Sequence, residues 1–307
     1  MNQKKSALSV LLAGILWGLI TIFIKRLSAS GLDAMNISLI RMAVAFPLFT
    51  AFVAVKDRSR LRIAPRDIPI FIGTGIVSVV LFNCLYFYTM IHSQASIAVV
   101  LLYTSPAFIM IMSALFFKEK ITVKKGISLI LTAAGCVLVS GIAGGGSAIT
   151  PLILMTGLGS GLCYGLYSIF GRFALKKYDT LTVTEYTFLF GLLGSLAIGR
   201  PAQTLSVIIS QPGLIPWCIG IGVVCTVLPY LFYTLGLKGL DTGKAGIIAA
   251  IEPLVGSLLG MFVYSEPRTP SKIVGTCLIL SAIIILNLRE RRAKRESAEA
   301  IKQKNEA

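Results

Sequence analysis

Charge is what this chain has least of. Of its 307 residues only 14% are charged, 13 of them acidic, and there is a single histidine. A soluble domain carries about a quarter charged residues. With 55% hydrophobic residues and a mean hydropathy of +0.84, this chain belongs in a bilayer. Missing motifs narrow the function. No G-x-x-x-x-G-K-[ST] loop is present, which excludes an ATP-driven pump on this chain alone. No H-E-x-x-H or G-x-S-x-G occurs either, and His92 falls in a loop, so an intramembrane enzyme is the weaker rival class. No selectivity filter or ring of charge is legible, which leaves a channel without its usual parts. The six cysteines, Cys84, Cys136, Cys163, Cys218, Cys225 and Cys277, all fall in apolar runs and read as packing residues, not as disulfides or a metal site. No cofactor is expected.

What is present is a succession of long apolar runs. Ten of them, near 8–25, 35–55, 68–91, 95–117, 126–143, 151–171, 183–199, 214–236, 245–264 and 273–288, approach the roughly 20 residues that a helix needs to cross hydrocarbon. Barrel strands would alternate over shorter segments, so the predicted class is an all-α integral membrane protein. The first run follows Lys4 and Lys5 but is too long for a signal core, and Lys25-Arg26 stands where small cleavage-site residues belong.

The formal net charge of +16 suggests nucleic acid until its placement is considered. With both termini in the cytoplasm, 23 basic residues fall inside and five outside (Lys25, Arg26, Arg200, Arg268 and Lys272), while Arg41 lies within a span. That is the positive-inside pattern of a multi-pass cell-membrane protein. No segment is long enough to build a soluble nucleic-acid face. The charged tail 289–307 reads as solvated, with its basic cluster available to anionic lipid.

A glycine-rich break at 143–151 divides the chain into halves, 1–146 and 147–288. A shift of 147 positions aligns Trp17-Gly18 with Tyr164-Gly165, Pro106 with Pro253, Glu119 with Glu266 and Thr122 with Thr269. A shift of 145 aligns Phe87-Tyr88-Thr89 with Phe232-Tyr233-Thr234. Five spans per half is an odd number, so the second half enters the membrane upside down. Such inverted repeats mark secondary transporters, with the substrate held near the midplane between the halves.

Glu252 is the one carboxyl expected well inside a span. A carboxylate is costly in hydrocarbon, so it must face the bundle interior, a partner or a wet cavity. Two roles are open: it binds substrate or a coupling proton, or, neutral, it bonds carbonyls freed by Pro253 and steadies a kink. Arg41 is the one basic residue deep enough to be its charge partner, although it can instead snorkel to the outer interface. Trp17, Tyr86, Tyr103, Tyr164, Tyr167 and Tyr230 lie deep in spans, where a tyrosine hydroxyl needs a partner or a wet cavity. Trp217, Tyr178 and Tyr264 read as interfacial. Asn83 and Ser105 can orient a substrate or bond between helices. Gly14 with Gly18, Gly157 with Gly161 and Gly165, and Gly256 with Gly260 mark close helix approach. Glu119 and Glu266 read as structural clamps of short turns, followed by Thr122 and Thr269 as helix caps.

Trp17-Gly18, the tyrosine-rich end of the third span, Ser105-Pro106, Lys118-Glu119-Lys120-Ile121-Thr122, and Glu252-Pro253 with Glu266 closely resemble the EamA-type drug/metabolite transporters. Pro267-Arg268 departs from the family's basic-apolar pair. The resemblance covers nearly the whole chain. It implies ten transmembrane helices as two inverted five-helix repeats around a central cavity, toward which it turns the first, third, fourth, sixth, eighth and ninth spans. It also implies an exporter or exchanger of small metabolites such as amino acids, with proton coupling, exchange and passive facilitation all open. The candidate substrate-binding or coupling residues are therefore Glu252, Trp17, Asn83, Tyr86, Tyr103, Ser105, Tyr164 and Tyr230. The expected partners are a small-molecule substrate and membrane lipid; the oligomeric state is not indicated.

Overall fold

The computed structural model describes residues 3–93, 95–140, 150–263 and 269–288, and every element among them is helical. The glycine-rich connection 143–149, Tyr264, Glu266, Pro267-Arg268 and the tail from 289 lie outside the described residues.

The first half comprises α1 (Gln3–Gly18), α2 (Ile20–Ser28), α3 (Ala34–Lys56), α4 (Ile68–Ile72), α5 (Phe82–His92), α6 (Ala95–Leu102), α7 (Ser105–Phe117) and α8 (Val123–Ser140). The second comprises α9 (Pro151–Ala174), α10 (Thr180–Ile198), α11 (Pro201–Ser210), α12 (Ile215–Gly222), α13 (Leu228–Leu237), α14 (Thr242–Ala249), α15 (Glu252–Val263) and α16 (Pro270–Leu288). Two π-helical stretches join α4 to α5 (Gly73–Leu81) and α12 to α13 (Val223–Val227).

Eight helical stretches among the described residues are long and apolar enough to cross a membrane, against the ten runs expected. The other two runs are α8, which opens on Lys124 and Lys125, and α16, whose apolar part covers only Pro270–Ile285. The two pack along each other, and Ser128 of α8 donates to the Ala282 carbonyl of α16 at 3.1 Å. Large apolar side chains remain bare on the outside of the bundle, Leu115 at 71% and Ile209 at 68% exposure among them. That distribution suits lipid and not water. The amphipathic α11, between the seventh and eighth runs, was not anticipated.

Caps set several starts. Asp33 and Asn36 form a reciprocal capping box on α3, and Asp179 accepts from Thr182 N at 2.8 Å to start α10. Thr150 caps α9, whose first residue is Pro151. Thr122 and Thr269 accept from the amides of Lys125 and Lys272, capping α8 and α16 in their respective halves.

The halves match in detail. The fourth run breaks at 103–104 and the ninth at 250–251, positions 147 apart. In each half a hydroxyl satisfies the carbonyl five residues earlier in the π-stretch: Ser78 to Gly73 O at 2.8 Å, Thr226 to Ile221 O at 3.0 Å. Matching helices run antiparallel. Arg60, past the end of α3, pairs with Asp179 at the start of α10, and Arg200, past the end of α10, lies 3.8 Å from Asp33 at the start of α3. Asp57 joins the first clasp; the Ser59 hydroxyl and then Arg60 hold its carboxyl below the usual 3.8.

The glycine pairs serve close approach. A methyl on Gly14 of α1 would lie 2.6 Å from Ile251 and 2.9 Å from the Ala249 carbonyl, at the break of the ninth run. A methyl on Gly161 of α9, 147 positions on, would lie 2.7 Å from Thr104 Oγ1 and 3.0 Å from the Leu101 carbonyl, at the break of the fourth. Only glycine lets these helices reach the broken backbone.

Candidate functional site: a cavity between the halves

A cavity of ≈350 Å³ lies between the halves, within the usual size range for small-molecule sites. Its floor is the break of the ninth run, where α15 starts with Glu252-Pro253. From there the lining runs past Gly256 and Ser257 to Lys272 at the start of α16, and along α1 and α2 from Trp17 to Ile24. Toward the end of the bundle that carries Arg60, Lys125 and Lys177, aromatic rings and polar contacts between the halves block the space.

Seven of the eight candidate substrate or coupling residues border this space: Glu252, Trp17, Asn83, Tyr86, Tyr103, Tyr164 and Tyr230. Ser105 does not. It is 1% exposed at the start of α7, and its carbonyl packs near Gly165. Tyr164 donates to Glu252 Oε2 at 3.2 Å, and Asn83 donates to Ser38 Oγ at 2.8 Å, which fixes its amide between α5 and α3.

Arg41 also borders the cavity. Its Nε donates to Thr226 Oγ1 at 3.0 Å and an Nη to the Cys225 carbonyl at 3.4 Å. The π-stretch supplies this seat, because widening the turn frees a carbonyl and moves a hydroxyl to the helix flank. Arg41 and Glu252 thus share one cavity without forming an ion pair.

Toward the closed end, rings fill the space. Trp17 meets Tyr230 and Tyr233 at centroid distances of 5.5 Å, Tyr167 meets Tyr230 at 5.1 Å, and Phe188 meets Tyr230 at 5.7 Å. Edge-to-face contacts of this kind are favourable. The void left among them is ≈20 Å³, room for about one water. Tyr167 bonds with Thr234 and Tyr233 with Ser168, each at 2.7 Å, so the hydroxyls are satisfied within the layer.

Beyond the rings, polar contacts join the halves at the closed end. Glu119 accepts from the amides of Thr242 and Gly243, at 2.7 and 3.2 Å, capping the start of α14. Lys118, in the left-handed region at φ 55°, turns the chain so that Glu119 can reach them. Lys125 lies 3.1 Å from Asp241, and Asp67 accepts from Lys177 and Tyr178 at 2.6 and 2.7 Å. The expected structural clamp at Glu119 thus acts across the halves, not within one turn. Among the described residues no group of three or more His, Cys, Asp or Glu lies together as a metal would require.

Sequence reasoning missed Glu185. It placed the seventh run at 183–199, which made Glu185 an end residue; α10 begins at Thr180 and Glu185 is 3% exposed. The signal was Asp179, a capping residue that sets the helix start three residues earlier, at Thr180.

An all-helical bundle of two matching halves around an internal cavity is the architecture of a membrane transporter. The comparisons name the family: the model described as "EamA-like transporter family" matches residues 4–141 and again 151–288. The chain belongs to this family. It is 27% identical over 286 residues to an "Uncharacterized transporter" of Archaeoglobus fulgidus, covering 90% of this chain and 94% of that one. It is 26% identical to "Uncharacterized transporter YojE" of Bacillus subtilis, over 96% and 98% of the two chains. With "Uncharacterized inner membrane transporter YicL" of Salmonella typhimurium it shares 24% identity over 96% and 99%. A solved crystal structure superimposes with a TM-score of 0.75 at 16% identity, covering 94% of this chain and 99% of the other, which speaks to the fold alone.

Proposed function

We propose that this protein is a secondary transporter, an exporter or exchanger of small metabolites such as amino acids, working by alternating access with proton coupling at Glu252. All ten runs cross the membrane in this reading, both termini are cytoplasmic, and the closed basic end faces the cytoplasm. The observation that carries the proposal is the cavity between antiparallel matching halves, open away from the basic end and floored by a broken helix bearing a carboxyl. Broken helices at the repeat interface are how transporters bring polar groups to mid-membrane.

Arg41 and Glu252 on the wall of one cavity suit a substrate carrying both an anionic and a cationic group, and the rings suit an apolar body. Alternation then needs the aromatic layer to part while the outer lining closes, with the glycine contacts at 14 and 161 as sliding surfaces.

The test is uptake of labelled amino acids and other small metabolites into liposomes, with and without an imposed pH gradient, for the native protein and Glu252→Gln. Saturable flux that responds to the gradient, and loses that response in the variant, is the expected result. Gradient-independent flux retained by the variant would leave a passive facilitator in which Glu252 supports the break at Pro253.

A further inference from the structure

Glu185 stands apart from the cavity. It lies on α10, on the far side of the aromatic layer from Glu252, and among the described residues no basic residue pairs with it. Its Oε1 contacts the Thr50 hydroxyl of α3, while its Oε2 is buried without a protein partner. Three residues on, Phe188 packs against Tyr230 and Phe49 of that layer, at centroid distances of 5.7 and 5.6 Å. The Glu185–Thr50 pair therefore sits directly beneath the rings that must separate if the cavity is to open toward the basic end.

Hydrogen bonding at the carboxyl is sparse. Thr50 has one hydroxyl proton, which it donates toward Glu185 Oε1 and shares with the Phe46 carbonyl at 2.8 Å. Glu185 Oε2 receives no donor at all. A charged carboxylate would thus be buried with half of one hydrogen bond, which favours the acid form.

The surroundings offer nothing else to hold a charge. On α3, Arg41 is bonded to Thr226 and Lys56 lies over Phe52; Arg60 is engaged by Asp57 and Asp179. Asp67, before α4, is held by Lys177 and Tyr178; Tyr186 donates to the Leu61 carbonyl, and Tyr167 and Tyr233 are bonded within the aromatic layer. Tyr230 makes ring contacts and no bond to Glu185, and Arg58, on the short turn Arg58–Leu61 that packs against α10, is exposed. On α10 itself, Thr180 and Thr184 carry buried hydroxyls without protein partners. Spaced one turn apart on the basic side of α10, they are buried hydroxyls of the kind that water commonly satisfies.

We propose that Glu185 is a second proton-exchanging carboxyl, serving the basic end of the molecule as Glu252 serves the cavity. It holds a proton while the aromatic layer is shut. When the layer parts, the proton passes from the carboxyl to water entering from the basic end, leaving a hydrated carboxylate that is reprotonated from water before the layer closes. The proposal rests on the alternating-access reading above.

Infrared difference spectroscopy on the full chain in lipid vesicles tests it without a substrate. Two protonated-carboxyl stretches are expected at neutral pH, both shifting in heavy water and both lost on alkalinisation. Glu185→Gln should remove one of them, Thr50→Val should shift that same band while keeping the carboxyl, and Glu252→Gln should remove only the other. A Glu185 band that is absent at neutral pH, or that neither exchanges nor titrates, overturns the proposal. Loss of titration in the Glu252 band alone counts instead against proton coupling at the cavity, so the two failures are distinguishable.

Discussion

The breaks in the fourth and ninth runs occupy matching places and are built alike, yet one carries Ser105 and the other Glu252. Both sit before a proline, and both are approached by a glycine 147 positions from its counterpart. Ser105 is walled in, whereas Glu252 borders the cavity. The same contrast holds for the other charge. Arg41 of α3 has no charged counterpart on α10, where Thr187 and Phe188 stand at the matching level and Phe188 belongs to the aromatic layer. The halves thus share their mechanics and divide their chemistry. Each charge occurs once, so a single site is built where a symmetric one would place like charges together, and like charges in a low-dielectric site repel strongly.

Making the halves chemically equal should cost the most. Ser105→Glu buries a carboxyl with no basic partner at a packed break and should destabilise by about 3–5 kcal/mol, read as thermal unfolding in detergent or lipid. Little loss there would show that the two breaks are interchangeable after all. The mechanical equivalence is tested next. Gly14→Leu and Gly161→Leu should each cost about 3 kcal/mol through overpacking, and a large loss in only one would break the symmetry.

The π-stretches come third. Thr226→Val removes the acceptor of Arg41 Nε and should cost about 2 kcal/mol, because a charged donor is left unpaired. Ser78→Ala, in the π-stretch of the other half, removes only a neutral hydroxyl bond and should cost about 1 kcal/mol. Equal losses would mean that Arg41 draws little from its seat. The smallest effects belong to the clasps. Asp33→Asn should be nearly silent, since its pair is half-exposed at 3.8 Å, and Asp179→Asn should be measurable but below about 1 kcal/mol, asparagine keeping the cap. For the same clasp the depressed Asp57 carboxyl sets the sign with pH. Its contribution is complete above 3.8 and disappears as the pH falls through its lower folded value, so acid should loosen the Asp179 clasp slightly.

Much of this was legible beforehand because lipid makes demands that a one-dimensional pattern can show. Long apolar runs, basic loops and the 147-residue offset need no folding to be seen. The breaks were harder. Nothing about Tyr103-Thr104 or Ala250-Ile251 is a helix breaker, and the following prolines say only that the helix is disturbed nearby. The seat of Arg41 could not be read at all. It depends on a π-stretch and on Thr226 within it, and in sequence that residue looks like any threonine in a span. Glu185 was misplaced by three residues of helix boundary, enough to turn a buried acid into a terminal one.

By itself, then, the sequence determined that the chain is a helical membrane protein in two related halves, because hydrophobic length and charge placement are properties of segments. Only the tertiary structure decided which polar groups share a cavity, since that depends on helix rotation and on where two broken backbones meet. Glu252, Arg41 and the rings around them come from both halves, and no periodicity within one helix can bring residues from two halves together.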